Sequence, residues 1–257
     1  MTYIALTVAG SDPSGGAGIQ ADLKTFHQFG VYGEAVITLV TVQNTVSVSK
    51  VSLLDPALVR EQMEAVMADI PPAAMKTGAL GSAQIIESVA LSVGTTALVV
   101  DPVMISKHGA PLMAPDAATA LRKLLFPKAL LITPNLHEAA ALTGMAVETE
   151  AQMVMAAQKL LGDGPSAVLV KGGHLEGKAA DVLVTKDLVQ WFTADRTDTP
   201  HTHGTGCTYS AAITALIARG LPLPQAIEKA KGFITHAIAT NPGLGRGHGP
   251  VNHFSPA

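Results

Sequence analysis

The sequence predicts an α/β fold, a doubly wound three-layer α/β/α sandwich around a mostly parallel sheet, and three observations predict it. Short runs such as Ala97-Leu98-Val99-Val100, Leu130-Leu131-Ile132 and Ala167-Val168-Leu169-Val170 are apolar on both faces and separated by helix-length stretches. Strands of a parallel sheet covered on each side read this way. Polar or glycine-bearing motifs fall at the carboxyl ends of these runs, where such sheets bind ligands. The 257 residues are 48% hydrophobic and only 14% charged, enough apolar surface for a large core. No repeat, low-complexity segment or linker divides the chain, so residues 1–257 are expected to form a single domain.

The first strand is Tyr3–Ala9, which runs into the glycine loop Gly10–Gly18 and a helix over Ile19–Phe29. A second apolar run, Ala35–Val42, ends at Gln43-Asn44-Thr45. Asp55 is placed to cap a helix that starts at Pro56 and reaches Asp69, because a short acceptor before a first-turn proline is a helix-start signal. A short run then reaches Lys76-Thr77-Gly78, and Ser82 caps a helix to about Val93. The three apolar strands end at Asp101-Pro102, at Thr133-Pro134-Asn135 and at Lys171-Gly172-Gly173. Asp181–Phe192 reads as a hairpin around Lys186-Asp187. Two helices, Gly206–Arg219 and Leu223–Ala239, and a Gly/His-rich tail complete the chain.

Composition excludes several classes. The net charge is −3, no basic block occurs, and only three Tyr and one Trp are present, so no nucleic-acid partner is expected. One cysteine excludes an internal disulfide and a Cys-based zinc site. The nine histidines lack metal-ligand spacing: His201 and His203 lie two apart, His248 and His253 five apart. There is no signal-peptide start and no apolar run of membrane-spanning length, which points to a soluble, cytoplasmic chain with no membrane partner.

Several motifs suggest chemistry. His203-Gly204-Thr205-Gly206-Cys207-Thr208 precedes an Ala-rich helix, so glycine amides and the helix dipole offer an anion site, with Thr202 and Thr205 adding hydroxyls. A plain Gly-Thr capping turn reads the same way. Cys207 sits in the first helical turn, a position that lowers a thiol pKa and suits a base; an inert buried thiol is the alternative. Glu138 follows Asn135 by one turn and is suited to Mg²⁺ beside nucleotide phosphates, or to a helix-capping arrangement. Lys171 reaches phosphate as a point charge or is a strand-end surface lysine, and Asp101 is placed for a metal or a phosphate-linked water. The loop Gly10–Gly18 has neither the Walker pattern nor Gly-x-Gly-x-x-Gly, so it reads as a wall or lid over a small substrate, with Asp22 as an acceptor one turn into the next helix.

In this order the motifs resemble the hydroxymethylpyrimidine/phosphomethylpyrimidine kinases of thiamine synthesis, in the ribokinase superfamily. The resemblance rests on Ala9–Thr25, Val42-Gln43-Asn44-Thr45, Lys76-Thr77-Gly78, Asp101-Pro102-Val103-Met104, Thr133-Pro134-Asn135, Lys171-Gly172-Gly173-His174 and Thr202–Thr208, and it covers nearly the whole chain. It implies a ribokinase-like sandwich that phosphorylates the pyrimidine hydroxymethyl group and then the monophosphate, with ATP and Mg²⁺, as a homodimer. Asp22 and Gln43 would bond the aminopyrimidine, with Gly10, Ala79 and Val103 lining it. Gly204 and Gly206 would donate amides to the transferring phosphate. Cys207 would replace the aspartate base of the sugar kinases. Asn135, Glu138, Lys171, Thr202 and Thr205 would serve Mg-ATP. Three positions depart from the pattern: Ala79 stands where many relatives have Met, His108 replaces a small residue, and Pro200-His201 replaces Lys-Asn. The loops Gly10–Gly18 and Met104–Pro111 are expected to exclude water as lids. A vitamin B6 kinase of the same fold is the nearest rival. A non-catalytic binding protein and a Rossmann dehydrogenase fit the motifs less well.

Overall fold

The computed structural model describes residues 2–114, 116–173 and 178–257; His174 of the Lys171 motif lies outside the described residues. Nine strands form one sheet in the order β3-β2-β1-β4-β5-β6-β7-β8-β9. They are β1 (Tyr3–Ser11), β2 (Val31–Gln43), β3 (Val48–Leu53), β4 (Ala74–Thr77), β5 (Ala97–Val100), β6 (Leu131–Ile132), β7 (Ala167–Gly172), β8 (Ala179–Thr185) and β9 (Val189–Ala194). From β2 through β7 every neighbouring pair is parallel. The remaining pairs, β2 with β3, β7 with β8 and β8 with β9, are antiparallel.

The helices divide between the two faces. On one lie α2 (Pro56–Asp69), α3 (Ala83–Ser92), α4 (Ala117–Ala120) with the helical turns after it, α5 (Leu136–Thr143) and α6 (Glu150–Leu161). On the other lie α1 (Gly18–Gln28), α7 (Thr205–Ala218) and α8 (Leu223–Ala239). Strand alternation makes this possible: Leu6 and Val8 face the first layer, whereas Ala5 faces the second. Leu98 and Val100 likewise face one core and Val99 the other, so these strands must be apolar throughout.

Local capping follows the sequence signals. Asp55 accepts from the Ala57 amide at 2.8 Å, and Ser82 from Ile85 at 3.3 Å. The hairpin turns at residues 186–188, between β8 and β9. The strand β2 extends beyond the expected Ala35–Val42 at both ends. The edge strand β3 and helix α6 enlarge the expected set. The former is half polar and mostly exposed, without a strong period; the latter begins with a Thr149–Gln152 capping box. Among the described residues no helix is long and apolar enough to cross a membrane.

Candidate active site

The strand order reverses between β1 and β4, and the motifs gather beyond the carboxyl ends on both sides of that point. They line a cleft of ≈ 750 Å³. Gly10, Gln43, Ala79, Val103, Asp101, Asn135, Glu138, Lys171, Thr202, Gly204, Thr205, Gly206 and Cys207 all contribute to its wall. Asp22 does not. It is fully buried on α1, where Oδ1 and Oδ2 each accept from Lys76 Nζ at 2.8 Å and Oδ2 accepts from Thr7 Oγ1 at 2.6 Å. Asp22 thus forms a buried ion pair rather than part of the cleft wall. The reason is Lys76, a strand residue with no exposure, whose ammonium needs a counter-ion. Burial alone would push that ammonium down; Asp22 and Asp101 outweigh it and hold it above the ordinary lysine value.

The anion turn is built by a contact between two loops. Gly204 caps α7 in a left-handed conformation, φ +78°, and any Cβ there would overlap the Gly16 carbonyl oxygen. The first turn of α7 thus presents amides that have no acceptor within the helix. Asp12 ties the two loops together. Its Oδ1 accepts from Ser14 N at 2.8 Å and Ser14 Oγ at 2.7 Å. Its Oδ2 accepts from Gly16 N at 3.2 Å and Ala17 N at 2.8 Å, and meets His203 Nε2 at 2.8 Å. Burial opposes ionisation of this carboxyl, but the bonds from His203, Ser14 and Gln43 hold it well below the usual carboxylate range. The loop Gly10–Gly18, for which the sequence leaves wall and lid open, is a cross-linked wall.

The charged floor is equally interlocked. Lys171 Nζ donates to Asp101 Oδ1 at 2.9 Å, and Thr133 Oγ1 and Ser210 Oγ each donate to Asp101 at 3.2 Å. A Cβ on Gly206 would lie 3.4 Å from Lys171 Nζ, so the lysine sits against the anion turn. Asn135 and Glu138 form a capping box at α5: Asn135 Oδ1 accepts from Glu138 N at 2.9 Å and Glu138 Oε2 accepts from Asn135 N at 2.8 Å. Burial pushes the Glu138 carboxyl up to about 7 and Asp101 adds to this, against Lys171 and the Asn135 and Met104 backbones.

Cys207 lines the cleft half-buried. The helix-start position was expected to lower its pKa. Instead burial pushes the thiol up to about 12, with Asp22 and Asp101 adding; Lys76 and the Gly18 backbone pull the other way without prevailing. The carboxylates that keep Lys76 and Lys171 paired make a thiolate costly here.

Two features of the site carry no motif in the sequence, whereas a third, the loop Met104–Pro111, is one that the sequence singles out. The Asp12–His203 link joins positions 191 apart. The segment Asp195–Thr199, with Tyr209 and the α8 residues Ile234 and Thr235, lines the far end of the cleft. The flap Met104–Pro111 closes back on itself, with Leu112 N donating to Met104 O at 2.9 Å, and Ile105, Ser106 and Lys107 line the cleft. Only the amphipathic pattern of α8 hints at the second feature.

The chain has recognisable counterparts. The family model for phosphomethylpyrimidine kinase matches residues 12–252. The hydroxymethylpyrimidine/phosphomethylpyrimidine kinase of Bacillus subtilis (strain 168) is 44% identical, covering 98% of this chain and 95% of its own length. A solved phosphomethylpyrimidine kinase from Clostridium difficile 630 matches with a TM-score of 0.81 and 44% identity, over 92% of this chain and 100% of that one. The pyridoxal kinase of Bacillus subtilis, solved as an ADP complex, matches with a TM-score of 0.91 and 40% identity, over 99% of this chain and 98% of that one. The ribokinase-like sandwich expected from the sequence is thus the fold of this chain, and the family match along nearly its whole length makes it a member of the phosphomethylpyrimidine kinase family.

Proposed function

We propose that residues 1–257 act as one ATP-dependent kinase unit. Its substrates are 4-amino-5-hydroxymethyl-2-methylpyrimidine and then the resulting monophosphate, and its product is the diphosphate used in thiamine diphosphate synthesis. One observation carries this beyond family membership: a single cleft joins a small-residue wall with one amide side chain to an anion turn with a lysine against it. Gly10, Ala79 and Val103 suit the flat pyrimidine, and Gln43 supplies a donor and an acceptor for its polar edge. The Gly204–Cys207 amides and Lys171 suit the transferring phosphate, and Asn135, Thr202 and Thr205 line the nucleotide side.

In-line transfer through a loose transition state asks little of a base. With its thiol protonated, Cys207 serves the substrate hydroxyl as a neutral hydrogen-bonding wall, and its backbone amide faces the charge that develops. Asp12, by fixing the glycine wall to His203, holds the substrate end at a set distance from the anion turn. Among the described residues no three His, Cys, Asp or Glu side chains converge as metal ligands. Two hard-oxygen donors, Glu138 and Asp101, line the cleft together, and this donor set fits a largely hydrated Mg²⁺. When bound, Mg²⁺ neutralises charge on the β- and γ-phosphates.

A second reading, pyridoxal kinase, is supported by the close match to the Bacillus subtilis pyridoxal kinase and by the small side chain at Ala79. An ADP-release assay with the hydroxymethylpyrimidine, its monophosphate and pyridoxal side by side decides between them. Turnover of both pyrimidines is expected; turnover of pyridoxal alone would sink the first reading. A homodimer is also proposed, because β3 leaves an open sheet edge beside the exposed Val40 and Val42 of β2. A monomer by sedimentation at micromolar concentration would contradict it.

A further inference from the structure

Histidine 108 lies at the tip of the flap Met104–Pro111, behind the cleft-lining Ile105, Ser106 and Lys107. Its ring packs against two others: the His203 ring centroid is 6.4 Å away and the His248 centroid 5.6 Å away. The imidazole also faces the Asn44 backbone, and its Nε2 is buried without a hydrogen-bond partner among the described residues. The flap tip is therefore seated on three separate segments. They are the end of β2 next to Gln43, the turn that leads into Gly204, and the C-terminal tail.

Each of these supports is itself fixed. His203 Nε2 meets Asp12 Oδ2, and His248 Nδ1 meets the Pro200 carbonyl at 3.0 Å. The charged and titratable groups around His108 are Lys107 on the flap, His203 with Asp12 behind it, and His248 on the tail; Asn44 contributes only its neutral backbone. Among the described residues no counter-ion for a second positive charge is in direct contact with this ring.

We propose that His108 is a positioning residue whose neutral imidazole latches the flap over the reacting end of the site, and that the latch releases when the ring takes up a proton. The geometry carries this, since one ring bridges the flap to both the substrate wall and the anion turn. Electrostatics agree in net direction: burial lowers the affinity of His108 for a proton, and His203, His248 and Lys107 lower it further, outweighing the opposite pull of the Asn44 backbone. The closed flap thus binds fewer protons than the open one. Closure is favoured above the ordinary histidine value and lost as pH falls through it. With an open-state value of about 6.5, and a ring that stays neutral in the closed flap, closure weakens by up to roughly tenfold between pH 7.5 and pH 5.5.

The test compares wild type with His108→Asn, which stays neutral, and His108→Lys, which stays charged. Hydrogen exchange of amides 104–111, corrected for intrinsic rate, is read from pH 5.5 to 7.5. In parallel the KM for the hydroxymethylpyrimidine is measured. Wild type is expected to gain flap exchange and up to about tenfold in KM on acidification, with kcat changing less. His108→Asn is expected to be flat in both, and His108→Lys to be open at every pH. Parallel pH profiles for wild type and His108→Asn would overturn the latch. The kinetic arm rests on the kinase reading, but the exchange arm does not, so a failure of either is distinguishable.

Discussion

Cys207 is the only cysteine in the chain, so alkylation reports on it without ambiguity. Its thiol is pushed from 9.0 to about 12, so the thiolate is roughly a thousandfold rarer at any pH below both values. A more basic thiolate is also the better nucleophile, with a Brønsted slope near 0.5, which returns roughly thirtyfold. The net expectation is alkylation by iodoacetamide about thirtyfold slower than for a free cysteine between pH 7 and 9. Mass spectrometry of the 207-containing peptide over time reads this directly. The kinetic counterpart is Cys207→Ser, which keeps a neutral hydrogen-bonding group. If the thiol acts uncharged, this variant retains turnover within about tenfold, the scale of one neutral hydrogen bond. A general base contributes on the order of 10² to 10⁴. Alkylation as fast as a free thiol, with a thousandfold loss of turnover in Cys207→Ser, would refute the reasoning and restore the base.

Gln43→Ala is expected to raise the KM for the pyrimidine by about tenfold, the worth of one to two hydrogen bonds, and to leave the KM for ATP unchanged. An unchanged pyrimidine KM would put Gln43 outside the substrate's reach. Asp22→Ala is expected to act on stability, because it leaves the Lys76 ammonium buried and unpaired at a cost of about 3–5 kcal/mol. Asp22→Leu combined with Lys76→Met should recover most of that loss in denaturant titrations. If Asp22→Ala instead keeps full stability and raises only the pyrimidine KM, the aspartate reaches the substrate after all.

Much of this was legible in the sequence where one local rule dictated the outcome. Strands apolar on both faces are the signature of a covered parallel sheet, and Asp55 and Ser82 announced their helices by capping. The polar ends of the strands then pointed to the cleft, because topology fixes which end binds. Asp22 shows where that logic stops. Its spacing placed it near the glycine loop, but its partner Lys76 lies 54 residues away, and only the sheet brings them together. Cys207 shows the same limit for electrostatics. A helix start lowers a thiol pKa when water and cations surround it; here burial and two carboxylates, from α1 and the end of β5, outweigh the dipole. Glu138 was open between two uses, and the capping box occupies one of its oxygens with the Asn135 amide.

The charges of the cleft and its floor are largely spent on one another, and this bears on the second phosphorylation. Lys76 is paired with Asp22, Lys171 with Asp101 and Lys231 with Asp181. These pairs leave little net field for a monophosphate that must sit beside a triphosphate. Lys107 differs, since it lines the cleft from the flap and joins none of the ion pairs among the described residues. Burial lowers its affinity for a proton, so an incoming phosphate would both gain and give stabilisation. Lys107→Ala is therefore expected to penalise the monophosphate more than the alcohol. One charge-assisted contact of about 1.5–3 kcal/mol corresponds to roughly ten- to hundredfold in kcat/KM for the second step. The first step should change by less than about threefold if the flap still closes. Steady-state ADP release with each substrate separates the two, and an equal loss in both would assign Lys107 to the nucleotide instead.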